Sequence, residues 1–365
     1  MKIAVLGAGN GGCAAAADLS KRGFSVNLYS RRKETLQPIL DAGGIKLIEN
    51  SSEEFISIDT VTRDIEEALK DTQIVLVTVP AVAHSYYMEV CAPHLREGQI
   101  MVLNPGSTGG ALHLLHGLRQ LRAGYLPPIC ETNTLTYVCR LVGEAAVRIT
   151  LHQKNLMFST IPATETERCA DIFRIIFPNI SPVENALVTS LSNFNAIMHP
   201  AGTIMNIGWV EFTKGDFAYY YEGNTPAVCR LIEAVDRERL SIFEQLGYST
   251  LPFLEFFYRA GLTTEKGFNS GSIYVALQES SPNRFIKAPQ SLDHRYVHED
   301  IGYGLLPMME IAGLLNLETP VMQALVILAS RAVDIDYSNE GLNLEKMGIA
   351  GFSKERLFTY LQEGE

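Results

Sequence analysis

Short apolar runs alternate with amphipathic stretches through the first half of this 365-residue chain. Runs of about four to eight apolar residues are typical of buried strands, whereas apolar residues recurring about every three to four positions predict a helix. We predict strands at 3–6, 25–29, 45–48, 56–58, 74–79, 100–104, 129–132, 145–151 and 156–160. Predicted helices occupy 13–19, 33–42, 64–70, 86–91, 109–123 and 164–177. This alternation indicates an α/β fold with a doubly wound sheet.

The second half of the chain is dominated by helical patterns, and its β-branched runs disappear. We therefore predict an α/β domain over residues 1–183 and an all-helical domain over residues 184–365. Thr225-Pro226 and Thr319-Pro320 each pair a helix-capping residue with a proline suited to the first helical turn. Two helices are expected to begin there, the first ending before Gly247.

The first predicted strand runs directly into a glycine-rich turn, Gly7-Ala8-Gly9-Asn10-Gly11-Gly12, with a helix after it. In a dinucleotide-binding turn, Gly7 would permit the tight bend, Gly9 the approach of a pyrophosphate, and Gly12 close helix packing. Free N–H groups at the N-terminus of the helix favour the phosphates, and Asn10 in this turn is a further candidate for cofactor binding. A glycine turn without a ligand is the alternative, but the strand and helix on either side favour a dinucleotide-binding Rossmann domain.

The second strand ends at Ser30-Arg31-Arg32, where many such domains carry an acidic residue that binds the adenosine ribose. A guanidinium group suits a ribose 2′-phosphate, which an acid would repel. The residues therefore predict that NADP(H) is preferred, with NAD(H) also possible. The alternative is that the two arginines are the solvated start of the next helix.

The ends of two further strands supply other candidates for the cofactor crevice. Pro80 follows the strand at 74–79, Asn104 ends the strand at 100–104, and Gly106 lies just after it. In open α/β sheets, ligands bind outside the carboxyl ends of the strands. We therefore expect Pro80, Asn104 and Gly106 on the cofactor side.

Composition and charge exclude several classes of function. A net charge of −11 and the lack of a basic stripe argue against nucleic-acid binding, and no apolar stretch is long enough for a membrane span. We expect no signal peptide, because a core strand begins at the N-terminus. The six cysteines show no paired spacing, which is typical of reduced thiols and predicts a cytoplasmic location. The closely spaced histidine pairs lack the further ligands that a metal ion needs, so no metal site is expected.

A polar stripe crosses an otherwise apolar predicted helix at residues 190–209. A buried helix carries such a stripe where it meets either a hydrogen-bonded network or a cavity. His199 lies in the middle of the stripe, and Pro200 removes a helical hydrogen bond beside it. A core histidine with satisfied hydrogen bonds is the alternative to a catalytic one. The stripe consists of Ser192, Asn195, His199, Thr203 and Asn206.

A second polar cluster occupies residues 293–300 and holds three acids, an arginine, two histidines and a tyrosine. Arg295 beside a carboxylate and glycine turns could hold an anionic substrate and orient a histidine. A solvated run of charges is the alternative.

Five motifs occur in the order seen in the opine dehydrogenases, and the chain resembles that family over nearly its whole length. The bacterial branch that includes N-(1-carboxyethyl)-L-norvaline dehydrogenase is the most similar. The two specific motifs are Asn-x-x-x-His-Pro at 195–200 and Arg-Tyr-x-x-Glu-Asp at 295–300. The others are the glycine turn, Asn104-Pro105-Gly106 with Thr108-Gly109-Gly110, and Tyr220-Tyr221-Glu222-Gly223-x-Thr225-Pro226.

The resemblance implies NAD(P)H-dependent condensation of an α-keto acid, such as pyruvate, with the amino group of an amino acid. His199 and Asp300 match the family's catalytic pair, and Arg295 matches its site for the substrate carboxylate. Glu131 and Thr132, at the end of a strand, are weaker candidates for contact with the amino acid. We also expect a homodimer.

Two other functions are compatible with the predicted architecture. A 2-hydroxyacid, ketopantoate-type or glycerol-3-phosphate-type dehydrogenase would carry a catalytic lysine early in the helical domain. Between residues 183 and 300 the lysines are Lys214, Lys266 and Lys287, and none lies on the predicted helix at 190–209. A non-catalytic NADP(H) sensor would not need the cluster at 293–300.

Overall fold

The computed structural model describes residues Met1–Glu365, which form two compact units. The N-terminal unit comprises Met1–Ser190 with Lys346–Gly348 and Glu355–Glu365, and the helical unit comprises Leu191–Glu345 with Ile349–Lys354. The expected boundary at 183/184 is thus corrected to Ser190/Leu191. The expectation that the whole C-terminal half forms one domain is also wrong, since two segments return to the N-terminal unit.

Side-chain contacts explain both differences. Ser190 donates a hydrogen bond to Glu131 inside the N-terminal unit, so the chain leaves that unit only after Ser190. Near the C-terminus, the Tyr360 hydroxyl accepts a hydrogen bond of 3.1 Å from Arg119, and the carbonyl of Gly364 accepts another from the same guanidinium.

Twelve strands and seven helices, together with the C-terminal helix, build the N-terminal unit. The strands are β1 (Lys2–Leu6), β2 (Ser25–Tyr29), β3 (Gly44–Glu49), β4 (Ser52–Ser57), β5 (Thr60–Thr62), β6 (Ile74–Val77), β7 (Ile100–Leu103), β8 (Ile129–Thr132), β9 (Tyr137–Gly143), β10 (Ala146–His152), β11 (Leu156–Ile161) and β12 (Ile180–Pro182). The helices are α1 (Asn10–Lys21), α2 (Lys33–Ala42), α3 (Ile65–Leu69), α4 (His84–Cys91), α5 (Gly110–Gln120), α6 (Thr166–Arg174) and α7 (Ala186–Ser190).

The main sheet has eight strands in the order β12-β11-β8-β7-β6-β1-β2-β5. All neighbouring strands are parallel except β8 and β11. The carboxyl ends of β1, β2, β6, β7 and β8 therefore lie at one edge of the sheet. The predicted α/β class with a Rossmann domain is confirmed.

The prediction of one doubly wound sheet is wrong for part of this unit. The runs at 45–48, 56–58 and 145–151 belong to a separate four-stranded sheet, β4-β3-β10-β9, and the sequence analysis missed β9. Strands β4 and β9 of this sheet are mostly exposed, which is compatible with a sheet that has one solvated face. Helix α1 packs against strands of both sheets, which explains why its side chains from Cys13 to Ala17 are small and buried.

Ten helices form the helical unit, and no helix of the chain is both long and apolar enough to cross a membrane. They are α8 (Phe194–Ile204), α9 (Ile207–Thr213), α10 (Pro226–Leu246), α11 (Phe253–Arg259), α12 (Glu265–Asn269), α13 (Ile273–Gln278), α14 (Arg295–His298), α15 (Leu306–Leu314), α16 (Pro320–Val333) and α17 (Tyr337–Glu340). Two π-helical turns lie among them, at Tyr219–Gly223 and Ile301–Leu305. The chain ends with α18 (Lys354–Glu363).

The helix predicted at 190–209 is divided into the end of α7, then α8, then α9. Asn193 and Asn206 adopt non-helical backbone angles at the starts of α8 and α9 and interrupt the run. Pro200 is accommodated inside α8. The polar stripe is therefore shorter than predicted, because only Asn195, His199 and Thr203 lie on α8.

One of the two predicted caps is confirmed. The Thr225 hydroxyl accepts a hydrogen bond from the Val228 amide at the start of α10. Thr319 makes no such bond, and the Glu238 carboxylate instead accepts the amides of Val321 (2.8 Å) and Met322 (2.9 Å). A carboxylate from another helix thus caps α16, which spacing along the sequence does not reveal.

Candidate active site

The glycine turn between β1 and α1 forms a cradle whose shape fits a dinucleotide phosphate. Gly7 has a φ of +108°, which favours glycine, and a Cβ at Gly12 would lie 1.6 Å from the Gly7 carbonyl oxygen. A Cβ at Gly9, by contrast, would meet nothing within 4 Å. No side chain caps α1, so its first N–H groups remain available to an anion.

The side chain and the backbone of Asn10 have different roles in this cradle. Its side-chain oxygen accepts a hydrogen bond of 2.8 Å from the Leu141 amide, which ties the start of α1 to β9. The side chain therefore supports the turn, whereas the backbone N–H of Asn10 belongs to the uncapped first turn of α1.

Two exposed arginines follow β2, the strand next to β1 in the sheet. The Arg31 guanidinium lies 4.8 Å from the ring centroid of Tyr86, a cation–π contact. Ser30 is buried, and its hydroxyl accepts a hydrogen bond of 3.3 Å from the Arg32 amide. These contacts hold Ser30 and Arg31 in place, whereas the Arg32 side chain is exposed to solvent.

The residues after β6 and β7 differ in accessibility. Pro80 is exposed. Asn104 is buried, and its amide nitrogen donates to the hydroxyls of Thr132 (2.9 Å) and Thr136 (2.8 Å), while its oxygen accepts from the Thr136 amide. The Asn104 side chain thus cross-links β7 to β8 and to the segment after it, and the expectation that Asn104 lies on the cofactor side stays a prediction.

Gly106 and Glu131 fit together in the interior. A Cβ at Gly106 would lie 2.4 Å from Glu131 Oε2, so Gly106 makes room for this carboxylate. Glu131 is fully buried and accepts hydrogen bonds from Thr189 Oγ1 (2.5 Å), Ser190 Oγ (2.7 Å) and the Ala111 amide (3.0 Å). Burial raises the pKa of Glu131 to about 7, although these three donors oppose the shift.

The same part of the interior holds Glu131 and Thr132, which were expected to contact the amino acid. Both are buried, and the Thr132 hydroxyl accepts from Asn104 and donates to the carbonyl of Thr134 at 2.9 Å. Their polar atoms are engaged within the protein. These internal contacts shape the carboxyl edge of the sheet, and contact of Glu131 and Thr132 with the amino acid stays a prediction.

In the helical unit, His199 and Asp300 meet in the interior. Nδ1 of His199 lies 2.6 Å from Asp300 Oδ2, and the two residues are 4% and 2% exposed. A carboxylate only accepts hydrogen bonds, so the imidazole donates from Nδ1. This contact fixes the ring orientation and leaves Nε2 as the acceptor of the neutral ring.

Three tyrosines surround His199, and the sequence analysis gave none of them a role. The Tyr220 hydroxyl lies 2.9 Å from Nε2 of His199, and the Tyr219 hydroxyl donates to the His199 carbonyl at 2.9 Å. The Tyr296 ring stacks on the imidazole with centroids 3.7 Å apart. Tyr220 and Tyr296 lie within the family motifs at 220–226 and 295–300, which was the one indication in the sequence that they have a role. Membership of a motif does not reveal which residues they contact.

Arg295 lies at the first residue of α14, on the same turn as the acids. Its Nε is 3.1 Å from Glu299 Oε2, and its side chain is 49% exposed, so part of the guanidinium faces solvent. Burial opposes its charge, but the carboxylates of Glu299 and Asp300 keep the pKa of Arg295 above its ordinary value. An exposed, permanently charged fork can bind a carboxylate through two hydrogen bonds.

Two family models match parts of this chain. The helical region matches the family profile described as NAD/NADP octopine/nopaline dehydrogenase, alpha-helical domain, over residues 182–333. Residues 2–120 match the N-terminal part of NAD-dependent glycerol-3-phosphate dehydrogenase. The latter match ends before the helical unit begins, so it concerns the nucleotide-binding fold alone.

Relatives extend the match to nearly the whole chain. The chain is 35% identical over 350 residues to an opine dehydrogenase of Arthrobacter sp. (strain 1C), covering 96% of each protein. It shares its fold with octopine dehydrogenase in complex with NADH and agmatine (TM-score 0.82, 18% identity, 100% and 98% coverage). NADP+-bound yersinopine dehydrogenase is also similar (TM-score 0.76, 15% identity, 99% and 97% coverage). The chain therefore belongs to the opine dehydrogenases, NAD(P)-dependent oxidoreductases that act on the CH–NH bond through reduction of an imine.

Proposed function

We propose that this enzyme joins pyruvate, or a similar α-keto acid, to the amino group of an amino acid, with NADPH as the preferred reductant. His199 and Asp300 act as its acid–base pair, and Arg295 binds the keto-acid carboxylate. The observation that carries this proposal is the buried contact of 2.6 Å between His199 and Asp300, a pair that lies close to Arg295.

The acid–base role follows from the hydrogen bonds of the imidazole. Asp300 holds the Nδ1 proton, so the ring exchanges its other proton at Nε2. The carboxylate also stabilises the imidazolium that forms when Nε2 takes up a proton. The pair can therefore protonate a departing hydroxyl when the imine forms, and accept that proton in the reverse direction.

Arg295 supplies binding and orientation. A planar guanidinium binds a carboxylate through two parallel hydrogen bonds, which fixes the orientation of the substrate as well as its position. Asp300 lies close enough to Arg295 to raise the pKa of the guanidinium. A substrate carboxylate bound by Arg295 is therefore near the acid–base pair. Fixing the reacting carbon in this way favours its reduction.

The dinucleotide is held by the N-terminal unit in this proposal. Gly7, Gly9 and Gly12 shape the cradle, the backbone N–H of Asn10 faces the pyrophosphate, and Pro80 and Gly106 lie at the same edge of the sheet. The nicotinamide, when bound, supplies the hydride that reduces the imine carbon.

Preference for NADPH follows from the segment after β2. Arg31 and Arg32 place two cations where the ribose of the adenosine is expected, with Ser30 at their base. A 2′-phosphate would make charge-assisted hydrogen bonds there, whereas Ser30 occupies the end of β2, where many such domains carry the acid that binds a free 2′-hydroxyl.

The homodimer and the cytoplasmic location expected from the sequence also remain predictions.

The test is oxidation of NADPH and NADH that depends on an amine. Pyruvate is supplied with each member of a panel of amino acids, and pyruvate alone serves as the control. Oxidation only when both substrates are present, with a secondary-amine dicarboxylate identified by mass spectrometry, supports the proposal. Equal oxidation with pyruvate alone would instead indicate a 2-hydroxyacid dehydrogenase.

A further inference from the structure

Both ring nitrogens of His199 are occupied by protein groups. Nδ1 is bound to Asp300, and Nε2 is 2.9 Å from the Tyr220 hydroxyl. His199 is 4% exposed and Tyr220 is 7% exposed. A substrate therefore cannot exchange a proton with Nε2 directly while Tyr220 keeps this position.

The hydrogen-bonded chain continues beyond Tyr220. Its hydroxyl lies 3.2 Å from the hydroxyl of Tyr296, which is half-buried and follows Arg295 in sequence. The order of groups is thus Asp300, His199, Tyr220 and Tyr296. Such a chain connects the buried imidazole of His199 with Tyr296, whose neighbour in the sequence is the half-exposed Arg295.

We propose that Tyr220 is the relay residue through which a proton passes between His199 and the substrate. This inference rests on the proposed acid–base role of His199. The Tyr220 hydroxyl gives its proton to the carbinolamine oxygen as the C–O bond breaks and water leaves. At the same time, the proton on Nε2 moves to the phenol oxygen, and the amine lone pair forms the C=N bond. The imidazolium becomes neutral and the substrate becomes an iminium ion, so charge is conserved.

The surroundings of Tyr220 favour a relay over an independent acid. Burial, with further contributions from Tyr296, Tyr219 and Asp300, raises the pKa of the Tyr220 phenol well above its ordinary value. A phenolate is therefore disfavoured, and loss of the phenol proton requires simultaneous replacement by the proton of His199. The overall reaction also takes up one proton from solvent for each keto acid and ammonium group converted to a protonated secondary amine and water. Tyr296 and Tyr220 provide a path for that proton.

The experiment is the substitution Tyr220→Phe, which keeps the ring and removes the hydroxyl. Proton transfer should become the slow step, and kcat should fall roughly 10²- to 10⁴-fold while KM for pyruvate changes little. The isotope effect from NAD(P)H deuterated at the transferred hydrogen should then approach unity, and the solvent deuterium isotope effect should rise. A residue that only supports packing would not redistribute these two effects.

Tyr221→Phe is the matched control. Tyr221 is the next residue on the same π-helical turn, and its hydroxyl meets Arg284 rather than His199. This variant should keep the parental kcat and both isotope effects. If Tyr220→Phe folds poorly, incorporation of 3,5-difluorotyrosine at position 220 preserves the hydroxyl and makes it more acidic. The relay predicts a changed kcat and solvent isotope effect for this protein.

The outcomes separate this inference from the proposed function. If His199→Ala abolishes activity while Tyr220→Phe or the fluorinated protein keeps the parental kcat and isotope effects, the relay is wrong and the acid–base pair stands. If His199→Ala is itself fully active, the proposed acid–base pair fails first.

Discussion

Asp300 and His199 are 101 positions apart in the chain, and their side chains meet at 2.6 Å in the interior of the helical unit. Asp300 precedes a π-helical turn, and His199 lies in the middle of α8. Local π-helical geometry is frequent at functional sites, because it redirects side chains that a regular helix would place elsewhere. The contact joins the two motifs that carry the family resemblance, and it makes the pair testable as one unit.

We expect His199→Ala and Asp300→Ala each to reduce kcat by roughly 10²- to 10⁴-fold. The double variant should be scarcely slower than His199→Ala, because groups that act as a unit are not additive. Steady-state kinetics measures kcat, and fluorescence titration should show that nucleotide affinity is retained in all three variants. Additive losses, or a kcat for His199→Ala within a few-fold of the parent, would mean that the two residues do not form a catalytic unit.

Arg295→Lys should raise KM for pyruvate and lower kcat, since an ammonium group cannot reproduce the two parallel hydrogen bonds of a guanidinium. Arg284→Lys is the control, because Arg284 stacks on Tyr221, away from the acid–base pair. Both variants retain the positive charge, so net charge does not confound the comparison. An unchanged response to pyruvate in Arg295→Lys would assign the carboxylate to another group.

Replacing Arg31 and Arg32 together with Ala should weaken NADPH binding far more than NADH binding. Loss of each charge-assisted hydrogen bond to a 2′-phosphate costs about 1.5–3 kcal/mol. Titration of both nucleotides by fluorescence measures the difference, with Lys33→Ala as the control for loss of a neighbouring charge. Equal weakening of both nucleotides would show that the arginines do not recognise the 2′-phosphate.

Local sequence patterns were sufficient for the elements whose geometry depends on nearby residues. The glycine turn, α2 and the Thr225 cap of α10 are each determined by contacts within about one helical turn of the residues concerned. The position of His199 on a mostly buried helix could also be predicted, because the polar stripe has helical spacing.

Contacts between distant segments were not predictable in the same way. The second sheet depends on pairing of β3 with β10, about a hundred residues later, and an apolar run does not specify its partner strand. Asn104, Thr132 and Glu131 have the composition expected of a binding site, but their hydrogen-bond partners are other groups of the protein, both side chains and backbone. Tyr220 was missed because its contact with His199 arises from a π-helical turn, which has no clear sequence signature.

Gly9 and Gly12 of the cradle should respond differently to substitution by alanine. Gly12→Ala places a Cβ against the Gly7 carbonyl and should destabilise the fold, with a lower Tm. Gly9→Ala meets open space, and Gly9 has a φ of −83°, which alanine adopts readily, so Tm should be retained while nucleotide affinity falls. Thermal unfolding and fluorescence titration check the two effects separately. Full nucleotide affinity in a stable Gly9→Ala protein would contradict the proposed pyrophosphate site.

Glu131 makes the stability of the N-terminal unit depend on pH. Burial raises its pKa from 4.5 to about 7, so the folded protein retains this proton where the unfolded chain has released it. Stability should therefore decrease as pH rises from about 4.5 to about 7, by up to about 3 kcal/mol from this group, and should be independent of Glu131 above that range. Glu131→Gln removes the titration, and the Thr189 and Ser190 hydroxyls can reverse to accept from the amide.

The measurement is the free energy of unfolding in urea at several pH values between 4.5 and 8, with a probe located in the N-terminal unit. Glu131→Gln should flatten the decrease seen in the parent, whereas Glu97→Gln, at an exposed position, leaves the buried carboxyl intact and should preserve it. If instead the parent gains stability across this range relative to Glu131→Gln, Glu131 is ionised in the folded protein. Its three hydrogen-bond donors would then outweigh the cost of burial, and the network would act as a buried anion site at the edge of the sheet.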